Sequence, residues 1–429
     1  MPRFPDLSRR EFLAATSSTL FASQLATATD KAPPPVPAQR PLRLAAINSI
    51  YRLRSHAYHI CGRFLLGYQR DGFHHQPPFQ LVRMFNHQHP KGDMEQEISA
   101  RHGVEISQSV AEALGGEKSL DVDGVLLIIE HGEYPVNKRQ QMLYPRFEFF
   151  KEIVDVFQNS GRSVPVFVDK HLSYDYENAA QMMAWGKELG FPIMAGSSLP
   201  VTWRRPEIEP PLGTPFTDGL VCFGYAGVEY PEEIYLFHAL ETLQCMLERR
   251  PGGETGVKSV LGLQGDDVWK AGDEGRWSWK LLDAALSRCP TNNIGKIRDN
   301  VKQPTALLIE YRDGTKGTIL NLYEQVADHG FAAFVKGRPD PFSSCFFLPG
   351  PPGANFFDPL CANIERLFVE GKSPYPAERT QLTSTILDWG LRSIHDKTGL
   401  VTDDSLHIAY QPPERTGFFR GPMTTGGGM

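Results

Sequence analysis

The sequence lacks any run of the ~18 consecutive apolar residues that a membrane-crossing helix needs, so no segment reads as a bilayer span. It also lacks a CxxC pair: Cys61, Cys222, Cys245, Cys289, Cys345 and Cys361 are scattered. That spacing excludes a zinc ribbon and a dense disulfide framework. One or two disulfides stay open, and buried free thiols are the plainer reading. Positive charge is not in excess. The net charge is −6 and the pI about 6.1, which argues against a nucleic-acid partner. There is no internal repeat. With 41% hydrophobic and 22% charged residues, the chain is not intrinsically disordered as a whole.

What is present is length enough for two domains, at 429 residues. Ser8-Arg9-Arg10-Glu11-Phe12-Leu13 is a twin-arginine pattern, followed by a mildly apolar run and by Ala26-Thr27-Ala28, a small-x-small cleavage pattern. Residues 1–28 therefore read as a Tat signal peptide. The expectation is a chain handed to the Tat export machinery, periplasmic or extracellular, with no membrane part once mature. Residues 29–41, rich in proline, read as an extended linker.

Residues 42–205 alternate strand and helix patterns. Strands are predicted over 42–47, 79–85, 122–129, 164–168 and 193–195, and helices over 93–102, 144–157 and from a cap at Asp175 to Leu189. The run 122–129 is unbroken Val/Leu/Ile apart from its opening Asp-Gly, as a strand buried on both faces should be. Such alternation predicts a Rossmann-like, doubly wound parallel sheet. Residues 206–410 read differently: a strong amphipathic helix over 232–249, a strand over 257–263, and two strands over 305–311 and 318–323 flanking Asp313-Gly314 as a hairpin. A late helix is predicted over 381–395. This half is an α+β domain with a mostly antiparallel open sheet, and 411–429 reads as a flexible tail.

The order of these segments resembles the Gfo/Idh/MocA family of NAD(P)-dependent sugar and polyol oxidoreductases, over most of residues 42–410. Val122-Asp123-Gly124-Val125 is similar to the strand leading to the cofactor. Val166-Phe167-Val168-Asp169-Lys170-His171 sits where the family has Glu-Lys-Pro. Ala195-Gly196-Ser197 and Trp203-Arg204-Arg205-Pro206 look like the crossing into the second domain, His238 aligns with the active-site histidine, and Leu382 to Asp388 resembles the closing helix. The resemblance implies bound NAD or NADP, a small carbohydrate substrate and an open sheet face suited to homo-oligomers.

The departures are specific. A dinucleotide turn uses glycines so that the backbone can approach the pyrophosphate. Here Asn48 and Ile50 stand in their places, and Arg52 or Arg54 is left to bind phosphate directly. The second strand ends at Asn86, with no acid for a ribose diol, and Ile234 replaces the family's aspartate four residues before the histidine.

Lys170, His171 and His238 are the catalytic candidates. Glu130, His131, Glu133 and Tyr134, at the end of the strongest strand, are candidates for substrate binding. Asn48, Ile50, Arg52, Arg54, Asn86, Asp169 and Lys170 are candidates for cofactor binding. His87-Gln88-His89 has the paired look of metal ligands, but no partner set follows at a characteristic spacing, so no metal is assigned. Trp269, Trp277 and Trp279 suit either sugar stacking or, preferably, a loop anchored in the core. Three functions remain. The first is redox chemistry on a sugar or cyclitol hydroxyl, with net hydrolysis, elimination or epimerisation as variants. The second is a cofactor-free saccharide- or partner-binding relative. The third is a metal-dependent hydrolase.

Overall fold

The computed structural model describes residues 40–225, 231–349 and 353–421. The segment read as a signal peptide, most of that read as a linker, and residues 422–429 lie outside the described residues.

Strand β1 (Leu42–Asn48) sends Leu44 and Ala46 into one core and Ala45 and Ile47 into another, all fully buried. Burial on both faces marks the centre of a parallel sheet. The chain continues through α1 (His56–Leu66), a short ribbon of β2 (Tyr68–Arg70) and β3 (Phe73–His75), β4 (Phe79–Asn86), α2 (Glu95–His102), β5 (Glu105–Ser107) and α3 (Val110–Leu114). It then crosses over to β6 (Gly124–Ile128), α4 (Arg146–Ser160), β7 (Val166–Asp169), α5 (Tyr176–Glu188) and β8 (Ile193–Gly196). The sheet order is β5-β4-β1-β6-β7-β8, with every pairing parallel. Helix starts follow capping chemistry: Ser55 accepts the Tyr58 N–H at α1, and Asp175 accepts from Glu177 and Asn178 at α5.

The second half adds β9 (Trp203–Arg205), β10 (Phe216–Phe223), α6 (Glu233–Leu247), β11 (Val257–Gln264), α7 (Asp266–Asp273), α8 (Trp279–Leu286), α9 (Ile297–Asn300), β12 (Thr305–Tyr311), β13 (Lys316–Asn321), β14 (His329–Val335) and β15 (Phe342–Phe347). Its sheet runs β11-β12-β13-β10-β14-β15-β9. All pairs are antiparallel except β10 with β13. Along β10, Val221 and Phe223 face α6, while Leu220 and Cys222 face α7 and α8. The outer face is thus not a bare sheet. Trp269 and Trp277 are buried there and Trp279 is packed against them, the core role preferred from sequence.

Two late helices tie the halves together. Helix α10 (Phe357–Glu370) follows the second sheet in sequence but packs in the first core, with β1 and α1. Gly124 permits this, since a Cβ there would meet the Phe368 ring at 2.5 Å. Helix α11 (Glu378–His395) places Leu382, Ile386 and Leu391 in the core of the second sheet, while its Thr380 hydroxyl donates to the Ala195 carbonyl of β8 (2.7 Å). Residues 411–421 do not behave as a tail. Phe418 is buried beneath the Arg204 guanidinium, Phe419 packs on Trp203, and Thr416 donates to Glu209. Those two aromatic side chains give the segment apolar surface to bury.

Candidate active site

Ligands of doubly wound sheets bind beyond the carboxyl ends of the strands, where strand order reverses. Here the reversal lies between β1 and β6. Ser49 bridges the two tips: its Oγ donates to the Glu130 carbonyl (2.6 Å) and accepts the Glu130 N–H (3.1 Å).

The residues just after β6 and β7 share an unusual backbone. His131 and Lys170 both have φ of 69°, a region that side-chain-bearing residues rarely adopt. Strain of this kind persists where the surroundings over-determine it, and it clusters at functional sites. Lys170 is pinned by its N–H to the Gly196 carbonyl (3.1 Å). Its side chain is nearly buried, with Nζ 3.0 Å from His238 Nε2 and 3.3 Å from Glu130 Oε1. His238 stands on α6, so the second half completes a site begun by the first.

Behind His238 lies a relay. Its Nδ1 is 2.9 Å from Ser197 Oγ, the Ser197 hydroxyl donates to Glu241 Oε2 (2.5 Å), and the Ser197 N–H donates to Glu241 Oε1 (2.9 Å). Burial, aided by the Lys170 charge, holds the His238 imidazole well below its usual range. It is therefore neutral, and the network assigns its tautomer: Nε2 accepts from Lys170 and Nδ1–H donates to Ser197. Burial pushes Glu241 up to about 7 even though Ser197 offers it two hydrogen bonds.

On the other side, Glu130 accepts from Arg146 Nη2 (2.5 Å). Burial alone would raise the Glu130 carboxyl, but Lys170 and Arg146 outweigh it and hold it at about 2. Arg146 is itself buried, over the Tyr144 ring and 3.1 Å from His171 Nε2. His171 is 1% exposed, 2.7 Å from Glu233 Oε1 and edge-on to Phe237. That enclosure corrects the catalytic expectation for His171: it braces Arg146 and Glu233 and has no open face to the crevice.

His56, the first residue of α1, reaches across to Asp169, with Nδ1 2.6 Å from Oδ2. Asp169 Oδ1 and Asn48 Oδ1 are buried acceptors without a partner, at the tips of β7 and β1. A dinucleotide offers ribose hydroxyls to such acceptors. Its phosphates can use the first-turn N–H groups of α1, of which the Ser55 hydroxyl takes that of Tyr58, with Arg52 and Arg54 exposed alongside. At these points the residues fit the group. Two residues expected at the cofactor offer it no free polar side-chain group. Ile50 is buried at 1% exposure, and Asn86 is spent on Asn48 (accepting, 3.0 Å) and Glu95 (donating, 2.8 Å). Of the expected substrate residues, Glu130 and His131 line the cluster. Tyr134 sits on the rim against His87 and Tyr144, and Glu133 is exposed to solvent.

His87 and His89, and the other histidines of this half, go separate ways. His87 bonds the Tyr134 hydroxyl, His75 pairs with Glu365, and His59 stacks on Phe357. His89, itself exposed, approaches the half-buried Asp93 and the buried Glu95. Sequence reasoning put none of Arg146, Ser197 and Glu241 among the candidate site residues, noting Glu241 only as sharing a helix face with His238 and Arg146 only as ending a segment at the rim. A usable signal existed for two of them: Ser197 directly follows a strand, and Glu241 lies one helical turn from His238.

Acid should weaken the fold through this cluster. As pH falls, the unfolded chain protonates His131 near 6.5 and Glu130 near 4.5, whereas burial and neighbouring charges hold them at about 3 and about 2 in the folded state. The unfolded state then binds more protons, so stability is lost as pH drops through these windows. His131→Asn keeps a residue that tolerates left-handed backbone. It should flatten the decline between pH 6.5 and 4.5, measured as denaturant midpoints.

The fold is that of the Gfo/Idh/MocA-type dehydrogenases. GenD2 from gentamicin A biosynthesis, solved in complex with NAD, superposes with a TM-score of 0.52 at 13% identity, covering 85% of this chain and 96% of that one. A probable dehydrogenase from Thermotoga maritima gives 0.52 at 12%, over 85% and 100%. Scyllo-inositol dehydrogenase from Lactobacillus casei, with bound NAD(H) and scyllo-inositol, gives 0.51 at 11%, over 84% and 98%. No protein-family model matches the chain, and neither does any curated protein.

Proposed function

We propose that the chain is an exported oxidoreductase-type enzyme acting on a hydroxyl of a sugar or cyclitol, with a tightly held NAD(P). The observation that carries this reading is the buried Lys170–His238 contact of 3.0 Å at the carboxyl ends of the parallel strands. Asp169, Asn48, Arg52, Arg54 and the N-terminus of α1 are the groups that would hold the dinucleotide, whose nicotinamide supplies hydride transfer when bound.

The chain's own residues handle the proton. Lys170 Nζ is the donor and acceptor at the substrate oxygen. Glu130 holds the ammonium in place without competing for the proton, since its carboxyl stays ionised to about pH 2. Neutral His238 accepts from Lys170, and Ser197 links it to Glu241, a carboxyl poised to titrate at about 7. A general acid or base works best with a pKa near the working pH, so the relay gives Lys170 a store that can gain or lose a proton. Glu241→Gln should keep substrate KM but remove a pH dependence of turnover centred at about 7; a profile from pH 5.5 to 9 measures it. The twin-arginine pattern supports export, because that route carries folded proteins with cofactor in place.

The direct test is to purify the chain from Asp30 onward, denature it, and assay the released small molecules by mass spectrometry. Near-stoichiometric NAD or NADP is the expected result. None retained, and none bound on titration, would overturn the oxidoreductase reading. The saccharide-binding relative, which the buried Ile50 and the spent Asn86 favour, would then be the better account.

A further inference from the structure

On the outer face of the second sheet, opposite the face packed on α6, three of the six cysteines converge. Cys222 on β10, Gly330 on β14 and Cys345 on β15 are in register across adjacent strands, so their side-chain positions share one face. Gly330 leaves a hollow between the two thiols. The Cys289 thiol, from the turn after α8, fills it: a Cβ on Gly330 would lie 2.6 Å from Cys289 Sγ and 3.0 Å from Cys222 Sγ. Asp328, two residues before Gly330, brings a carboxylate to the same spot. Ligand atoms of Cys289, Cys345 and Asp328 all lie within 4.8 Å of one another. Thr291 orients that carboxylate, donating to Oδ2 from its N–H (2.9 Å) and its hydroxyl (2.6 Å).

We propose that Cys289, Cys345 and Asp328 form a binding site for a divalent metal of zinc type, with the Cys222 thiol, which shares the Gly330 hollow with Cys289, as a fourth donor. Zinc takes thiolate and carboxylate ligands tetrahedrally, with Zn–S about 2.3 Å and therefore S···S about 3.8 Å. A group already within 4.8 Å needs only side-chain adjustment to close on an ion. The cysteines are buried, and the Cys289 thiol donates to the Ala285 carbonyl (3.4 Å). When a cation binds, two S–H bonds break, two metal–sulfur bonds form, and both protons leave to solvent. The hydrogen bonds from Thr291 are the outer support that metal-ligating carboxylates use. The ligands come from the turn after α8, the bend just before β14 and strand β15, and they staple α8 to β14 and β15. The role is structural and independent of the redox site.

The test uses the whole chain from Asp30, reduced with a phosphine and stripped with a chelator, then titrated with Co2+ and with Zn2+. The expected result is one equivalent of either metal. Co2+ should give intense tetrahedral visible bands with a thiolate charge-transfer band, and Zn2+ should displace it and raise the melting temperature. Asp328→Asn, at a half-buried position that should leave the fold intact, should weaken uptake at least about tenfold, and Cys345→Ser should abolish the charge-transfer band. No uptake by the reduced wild-type chain would overturn the site. So would a cobalt spectrum without thiolate bands, or uptake unchanged by Asp328→Asn. A chain that instead isolates with a Cys289–Cys345 disulfide, and binds no metal once reduced, would overturn it as well.

Discussion

Lys170→Met lowers turnover by about 10²–10⁴-fold, the usual contribution of a positioned acid–base group, while the protein stays folded. Methionine keeps the apolar length of the side chain and, like lysine, carries a Cβ, so the cost of the φ of 69° is unchanged. Glu130 loses one partner but keeps Arg146 at 2.5 Å. The neutral His238 loses the ammonium it accepts from. Lys170→Arg sharpens the argument. It restores the positive charge beside Glu130 but cannot give up its proton near neutral pH, so it should rescue folding and substrate KM without rescuing kcat. The measurement is steady-state kinetics on the sugar or cyclitol that substrate screening identifies, followed by nicotinamide absorbance. A Met variant within threefold of wild type, or an Arg variant with full kcat, would remove Lys170 from the proton path.

The fold was legible because hydrophobic periodicity is a local property. The Val/Leu/Ile run at 122–129 could be little else than a strand buried on both faces, and it is β6. Ile234, Phe237, Leu240, Leu243 and Leu247, spaced along α6, are all buried. What stayed hidden depended on distant partners. Strands β14 and β15 carry glycine, serine and cysteine at positions where other strands have branched residues. Their identity as strands rests on neighbours in the sheet, not on propensity. Helix α10 was masked by the Pro/Gly stretch before it, and its place on the first core could not be read from a sequence distance of about 300 residues to α1. At the site, Lys170 and His238 were found through their placement after a strand and within a helix. The relay through Ser197 to Glu241 was not found, because it forms only when β8 is packed against α6. Ile50 shows the opposite failure. Its position in the turn suggested a cofactor contact, but a large apolar side chain has more to gain from burial than from facing phosphates.

Arg379→Met should destabilise the protein by about 3–5 kcal/mol, the cost of stranding one half of a buried ion pair. Arg379, on α11, donates to both oxygens of Glu248 at the end of α6, at 2.8 and 2.6 Å, and both side chains are almost fully buried. The Tyr410 hydroxyl donates to the same carboxylate (2.8 Å), so its remaining partner is neutral once the guanidinium is gone. The effect should exceed local unfolding of α11. That helix also carries Thr380, bonded to the Ala195 carbonyl of β8 (2.7 Å), and so sets the height at which Ser197 meets Glu241. A buried pair can be replaced as a unit at little cost when the substitutes pack. The double variant Arg379→Met with Glu248→Met should therefore recover most of the lost stability, with turnover following according to how well α6 regains its seat. Urea midpoints of the two single variants and the double variant measure this. Equal midpoints for Arg379→Met and wild type would mean that the apolar contacts of Leu382, Ile386 and Leu391 alone hold α11 against α6, and that the ion pair is a passenger.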